Sequence, residues 1–325
     1  MVLCVKVLEK NAEDTRRVLS RRSVINKNYK ITSDSGYVYI PVSSDLDGFE
    51  IEDFDANKRE NSKSVEDILG YKPTYEWLGD IVIVKADSDA EEIADAFYKS
   101  SHSPNSVVNK KTKVKGKTRV PEYDLVRGDD TVTVYKEYGY KYRIDVTSVY
   151  FTPRLSRERR CFMNDLGADD RTFDMFAGVG PYTIPAADIG ESAVGVDINE
   201  IATDFMRENA TLNSVEDSLS AINSDVRNVA ENYENWADKV VMNLPHSADE
   251  FLQTAEIVVN DGGKIYMYDF VSDSVPADEV VGKVDSRLSD STCIESYEMR
   301  KVRPYAPSVS NVCLEFDVRH SVCDG

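Results

Sequence analysis

From about Arg154 to the C-terminus the sequence alternates short apolar runs with helix-like stretches. The runs are "RTFDMF", "SAVGVDI", "LSAINSDV", "DKVVMNL" and "GGKIYMYDF". Parallel neighbours in a sheet cannot be joined by a tight turn, so each return requires a crossover, usually a helix. The alternation therefore predicts an α/β domain built on a doubly wound, mostly parallel sheet. Two further runs, "CIESYEMRKV" and "NVCLEFDVR", have no helix between them. They place an antiparallel pair at one edge and bring the expected sheet to seven strands.

The stretch "FDMFAGVGPYTIPAA", residues 173–187, reads as a buried strand through Phe173, Met175 and Phe176, a tight loop from Ala177 to Gly180, and a helix from Tyr182. Ligands of open α/β sheets collect at the carboxyl ends of the strands, where this loop sits. "GVGPYT" departs from the dinucleotide pattern G-x-G-x-x-G, because Thr183 stands where the third glycine belongs. A nicotinamide cofactor is disfavoured. Gly178 and Gly180 still let the backbone pass close beneath a ligand, and amides at the following helix start suit the methionyl carboxylate of S-adenosylmethionine.

Asp174 closes the first strand, Asp197 in "VGVDIN" closes the second, and Asp225 in "INSDVRN" closes the third. Asp197 is placed to accept from both ribose hydroxyls, and Asp225 with neighbouring backbone N–H groups to recognise an adenine edge. Either residue alone is as readily a helix cap. Acids at successive strand ends favour a cofactor site, with Phe176, Ala177, Ile198 and Val226 as further contacts.

Ahead of this domain the chain is divided into three parts. Residues 1–43 read as a small α+β unit: strand "VLCVKVL", a helix from about Ala12 to Ser23, and a hairpin turning at Asp34 to Gly36. Residues 44–64 are acidic with little periodicity and read as a linker. Residues 65–150 read as an α+β RNA-binding domain, and residues 151–325 as the cofactor domain. The N-terminus carries Lys6, Glu9 and Lys10, unlike a signal peptide, and no apolar run approaches membrane length. A cytoplasmic, monomeric enzyme without a membrane partner is expected. The scattered cysteines and three histidines support no metal site.

Net charge is −19, which by itself argues against a polyanionic partner. The charge is unevenly spread. From Val108 to Arg160 there are 14 Lys and Arg against 7 Asp and Glu, whereas the rest of the chain has 25 against 51. The dense stretches "NKKTKVKGKTR" and "PRLSRERR" give a nucleic-acid footprint, with Lys110, Lys111, Lys113, Lys115, Lys117 and Arg157 as candidate contacts. The acidic remainder reads as adaptation to high salt, as in halophilic archaea.

The fourth strand ends "VVMNLPHSADEFL". An Asn243 amide offers a donor and an acceptor to a base edge, Pro245 stiffens the turn, and His246 is taken as bystander polarity. Together "VYFTPRLSRERR", "DMFAGVGPYTIPAA", "VGVDINEIA" and "VMNLPHSADEFL" resemble the archaeal and eukaryotic tRNA guanine-37 N1-methyltransferases. The resemblance covers about Asp80 to the C-terminus and is strongest between Tyr150 and Leu252. It implies a Rossmann-like class I methyltransferase domain that uses S-adenosylmethionine, with tRNA held at its anticodon stem-loop and at its outer corner. Glu158 matches the family's proposed general base; without the family it would read as an exposed ion pair with Arg154. Arg119 matches an arginine implied to reach the guanine O6, Asn243 and Pro245 match the acceptor motif, and Tyr150 and Arg154 match positions lining cofactor and target. Thr152 replaces the family's usual Ser before the proline. Related wyosine-pathway enzymes are the alternative: an aminocarboxypropyl transferase, which lacks the Asn-Leu-Pro exit, or a methyltransferase that also acts on a wyosine precursor.

Overall fold

Val240 and Met242 pack into one hydrophobic core while Val241, between them, packs into another, and all three are wholly buried. A strand covered on both faces needs apolar residues throughout, the signature of a parallel sheet flanked by other layers. The computed structural model describes residues 1–58, 63–112 and 120–320, and its contacts divide the chain into two units. One unit is Met1–Lys72 with Asp95–Ser103, the other Pro73–Ala94 with Pro104–Gly325.

The first unit contains β1 (Val2–Leu8), α1 (Ala12–Arg21), β2 (Thr32–Asp34), β3 (Tyr37–Pro41), β4 (Ile51–Phe54) and α2 (Val65–Leu69), with strands in the order β2-β3-β1-β4. The β2–β3 hairpin turns at Ser35 and Gly36, both in left-handed backbone, the geometry that matches the twist of the flanking strands. The segment 44–64 is more than a linker, because β4 lies within it and pairs with Val2–Val5. Ile51 packs against the Val5 and Leu19 core, and Phe54 stacks on Tyr39 at 3.8 Å. A four-residue edge strand with an apolar residue only at each end has no visible period of two, so the acidic composition masked it.

In the second unit β5 (Tyr75–Leu78), β6 (Ile81–Val84), β7 (Ser106–Lys110) and β8 (Tyr123–Arg127) form a four-stranded sheet, with α3 (Ala90–Lys99) divided between the two units. A hairpin of β9 (Val132–Glu137) and β10 (Tyr140–Asp145) precedes α4 (Ser156–Asn164). Then follow β11 (Arg171–Asp174), α5 (Thr183–Ile189), β12 (Ser192–Asp197), α6 (Glu200–Leu212), β13 (Leu219–Asn223), β14 (Ala237–Met242), α7 (Leu252–Val258), β15 (Val259–Ser272), α8 (Ala277–Asp285), β16 (Thr292–Ala306) and β17 (Val309–His320). Their seven strands lie in the order β13-β12-β11-β14-β15-β17-β16. The first five are parallel, and β17 and β16 form the expected antiparallel edge.

The β9–β10 hairpin is tied to α4 by a buried ion pair. Arg159 Nε and Nη2 donate to the Glu137 carboxylate at 2.6 and 2.7 Å, and the same guanidinium donates to the Thr152 carbonyl. Removing one partner of such a pair strands a buried charge and costs about 3–5 kcal/mol. The pair fixes the rotation of α4, and with it the direction of the neighbouring Glu158.

Candidate cofactor and acceptor site

Strand order runs outward from β11 through β12 to β13 and then returns to β14 on the other side of β11. This reversal opens a crevice at the carboxyl ends of β11 and β14, where ligands of such sheets bind. Asp174 and Val241 are paired across these two strands, so Asp174 and Asn243 flank the crevice.

The glycine loop is held from both sides. Ala177 donates its backbone N–H to the Val196 carbonyl at 2.9 Å, and Thr183 Oγ1 donates to Asp174 Oδ2 at 3.0 Å. The threonine that replaces the third dinucleotide glycine thus anchors α5 to the end of β11. Gly195 lets this helix lie close on the sheet, since a Cβ there would meet Ala177 and Thr183 side chains at 3.0 Å. Gly178 and Gly180 have φ of +55° and +90°, in the left-handed region that favours glycine. Above Gly178 the space is open: among the described residues a Cβ would find only the Tyr150 carbonyl within 4 Å, at 3.9 Å.

Asp197 closes the loop. Its Oδ2 accepts the Gly178 N–H at 2.7 Å and its Oδ1 accepts the Asn199 N–H at 2.8 Å. An ionised carboxylate has about four lone-pair sites, so acceptor capacity remains for a diol. Burial raises the Asp197 carboxyl above its ordinary value, with these N–H groups opposing. Asp174, wholly enclosed, is pushed up to about 7 by burial, against the Thr183 hydroxyl and the Phe176 N–H. Ile198 is exposed beside Asp197, and Phe176 packs edge-on against Phe251 at 5.0 Å. Asp225 caps a short 3-10 turn through the Arg227 N–H and also pairs with the Arg227 guanidinium at 2.9 and 2.5 Å, while Val226 beside it is buried.

On the acceptor side Asn243 directly follows β14, and Pro245 is buried in the turn. Glu158 is only 3% exposed, and its partner is Arg300 of β16. The exposed pairing with Arg154 expected from sequence spacing does not form; Arg154 bonds Glu76 at 3.3 and 3.1 Å instead. Arg154 lies in the 3-10 turn Pro153–Leu155 ahead of α4, so the i,i+4 helical spacing does not apply to the two side chains. Arg300 Nε also donates to Glu315 at 2.9 Å, so one guanidinium serves two carboxylates. No local signal marks Arg300, which lies 142 residues from Glu158.

Tyr150, 40% exposed, lies beside Tyr123, whose phenol is pushed up to about 12 by burial and by neighbouring Tyr150 and Glu76. Lys110 sits in the same region; burial and the Arg154 charge lower its ammonium from the ordinary value. Lys111 pairs with Asp124 at 2.9 Å, and Arg157 is exposed on α4. Lys113, Lys115, Lys117 and Arg119 lie outside the described residues. His246 is more than a bystander: its ring packs on Phe270 at 4.3 Å, and its backbone takes φ of +78°.

Three family models match the chain: the TRM5/TYW2 methyltransferase domain over residues 133–294, the tRNA methyltransferase 5 N-terminal domain over 4–50, and the TYW2 N-terminal domain over 62–131. The chain is 33% identical to the tRNA (guanine(37)-N(1))-methyltransferase Trm5b of Methanocaldococcus jannaschii, over 98% of this chain and 99% of that one. It is 32% identical to the Trm5b of Pyrococcus abyssi over the same shares. A tRNA(Phe) (4-demethylwyosine(37)-C(7)) aminocarboxypropyltransferase of Pyrococcus horikoshii is 33% identical, but over 65% of this chain and 76% of its own. Among solved structures, a complex of aTrm5 with tRNALeu matches with a TM-score of 0.71 and 32% identity, covering 97% of this chain and 99% of that one. M. jannaschii Trm5 in complex with adenosine matches with 0.65 and 30%, covering 97% and 98%. The chain belongs to the TRM5/TYW2 methyltransferase family.

Proposed function

We infer that the chain is a tRNA (guanine(37)-N1)-methyltransferase, which uses S-adenosylmethionine as methyl donor. The observation that carries this reading is the Asp197 carboxylate, held by Gly178 and Asn199 N–H groups beside an open glycine cradle, across the switch-point crevice from Asn243. The residues fit the cofactor: Asp197 retains acceptor sites for a ribose diol, exposed Ile198 offers apolar contact to an adenine with buried Val226 backing that place from the core, and Asp225 stands at its edge. Asp174, Phe176, Ala177, Gly178 and Gly180 form the floor beneath the methionyl portion, with Tyr150 above. When bound, S-adenosylmethionine supplies an electrophilic methyl carbon.

On the acceptor side Asn243 orients the guanine through its amide, and Pro245 holds that turn rigid. Guanine N1 must lose its proton as it is methylated, so a base within hydrogen-bond reach is needed. Glu158 is assigned that role. When it accepts the proton its charge is lost, and Arg300 keeps a counter-charge in Glu315. Arg119 stabilises the negative charge that gathers on O6, a task suited to a group that never titrates near neutrality. Lys110, Lys111, Lys113, Lys115, Lys117 and Arg157 contact the RNA backbone, and the N-terminal unit takes the outer corner of the tRNA. The enzyme is read as a cytoplasmic monomer, and its acid excess as a surface for high salt.

The match to the TYW2 N-terminal domain favours a second reading, action on a wyosine precursor. The near full-length similarity to two Trm5b chains supports the guanosine reading over it. Unmodified tRNA transcripts with guanosine or adenosine at position 37, incubated with protein and S-adenosylmethionine, separate them. Methyl uptake by the guanosine transcript alone supports the assignment; uptake by neither, with uptake by a wyosine-precursor tRNA, replaces it.

A further inference from the structure

The turn that leaves β14 carries an unused aromatic surface. His246 packs its ring on Phe270 at 4.3 Å and on Tyr305 at 5.7 Å, and Phe270 and Tyr305 lie 3.8 Å apart with planes tilted by 33°. Tyr305 is 52% exposed. The arrangement is rigidly held. Asp269 Oδ1 accepts the N–H of His246 at 3.2 Å and of Phe270 at 2.8 Å, locking the turn to β15. His246 takes left-handed backbone that a residue with a Cβ seldom adopts, and such strain persists where the surroundings impose it, often at a binding site.

Beside these rings lie two buried polar atoms without a hydrogen-bond partner among the described residues. They are Oδ1 of Asn311, which is 2% exposed, and Nε of Arg303. Phe270 pairs with Asn311 across β15 and β17, and Asn311 with Arg303 across β17 and β16, so all three side chains share one face of the sheet. Leaving such groups unpaired is costly, and each calls for an explanation. Both atoms are enclosed, so no base reaches them, and the exposed rings alone offer a surface to a ligand.

We propose that His246, Phe270 and Tyr305 form a second base-binding site that stacks the nucleotide adjacent to the methylated guanosine in single-stranded conformation. The inference rests on the RNA methylation reading above. Continuity favours it: His246 is three residues past Asn243, so a base seated at Asn243 leaves its chain neighbour within reach of the rings. Stacking on aromatic side chains does not depend on base identity, so this site sets the register of the RNA rather than its sequence.

The test uses the full chain and an anticodon stem-loop RNA with 2-aminopurine placed immediately 3′ or, separately, immediately 5′ of the target guanosine. Tyr305→Ala removes an exposed ring, Tyr305→Phe restores it, and His246→Gly removes a ring while suiting the left-handed turn. Wild-type protein is expected to quench 2-aminopurine at one of the two positions. Tyr305→Ala and His246→Gly are expected to lose most of the quench and raise the KM for RNA roughly tenfold, the scale of one stacked base, with kcat and S-adenosylmethionine affinity kept. Tyr305→Phe should restore both readouts. No quench at either position, or wild-type KM and quench in Tyr305→Ala, makes the rings packing only and overturns the site. If wild-type protein transfers no methyl to RNA at all, the function reading fails and this site with it; an active wild type with an unaffected Tyr305→Ala removes this site alone.

Discussion

Asp197 is the residue on which cofactor binding turns, and its two oxygens have different tasks. Oδ2 takes the Gly178 N–H at 2.7 Å and Oδ1 the Asn199 N–H at 2.8 Å. Asp197→Asn is therefore not conservative: either orientation of the amide points its NH2 at one of two backbone donors. That loses one charge-assisted hydrogen bond, worth about 1.5–3 kcal/mol, and pushes the glycine loop from its seat. Because the loop lies beneath the cofactor, most of this loss is expected in binding, roughly 10- to 150-fold in Kd. Asp197→Ala removes both bonds and the diol acceptor and should exceed the Asn variant. Isothermal titration with S-adenosylhomocysteine, with thermal unfolding of the same samples as a control, reads the effect. An Ala variant that binds within twofold of wild type would remove Asp197 from the site and the loop from the cofactor.

Glu158→Gln should leave cofactor and tRNA affinity nearly intact while methyl transfer falls sharply, and the defect should ease at high pH, where guanine N1 ionises unaided; a defect equally large at every pH counts against the base. Asp174 has its folded carboxyl near 7 against an ordinary 3.8, so the folded state holds a proton that the unfolded chain releases. Stability favoured by this group is full below about pH 4 and is lost as pH rises to about 7, by up to roughly 4 kcal/mol. Denaturant titrations of wild type and Asp174→Asn at pH 5 and pH 8 should show the part of that loss lying between them, about 2–3 kcal/mol, only in wild type. Neutralising Lys110, Lys111, Lys113, Lys115 and Lys117 together should weaken tRNA binding and flatten its salt dependence, whereas parallel slopes would show a merely solvated segment. Gly180→Ala should destabilise the chain, since a Cβ at φ +90° meets Ile184 at 3.0 Å and Met206 at 3.1 Å; unchanged unfolding free energy would contradict the tight loop.

The parallel sheet and its antiparallel edge were legible because strand segments buried on both faces must be continuously apolar, as "VVM" in β14 is. The loop and its three acids were legible because they are local: Asp174 and Asp197 end their strands, and Asp225 follows β13 by two residues. Thr183 was visible as a break in a glycine pattern, although its bond to Asp174 needed the fold. Long-range pairing was not legible. Glu158 of α4 meets Arg300 from β16, and Arg154, in the turn before α4, meets Glu76 from β5; no periodicity encodes partners that far away in the chain. The β4 strand was hidden for the opposite reason: two apolar residues among acids carry too little pattern to outweigh composition.

The most direct measurement of the central claim is mass mapping of nuclease fragments from unmodified tRNA after incubation with the protein and S-adenosylmethionine. The account predicts a single added methyl group, on guanosine 37, at a position that blocks Watson–Crick pairing and stops reverse transcription, as N1 substitution must. A methyl group on another nucleotide, or an aminocarboxypropyl mass on the same one, would contradict it.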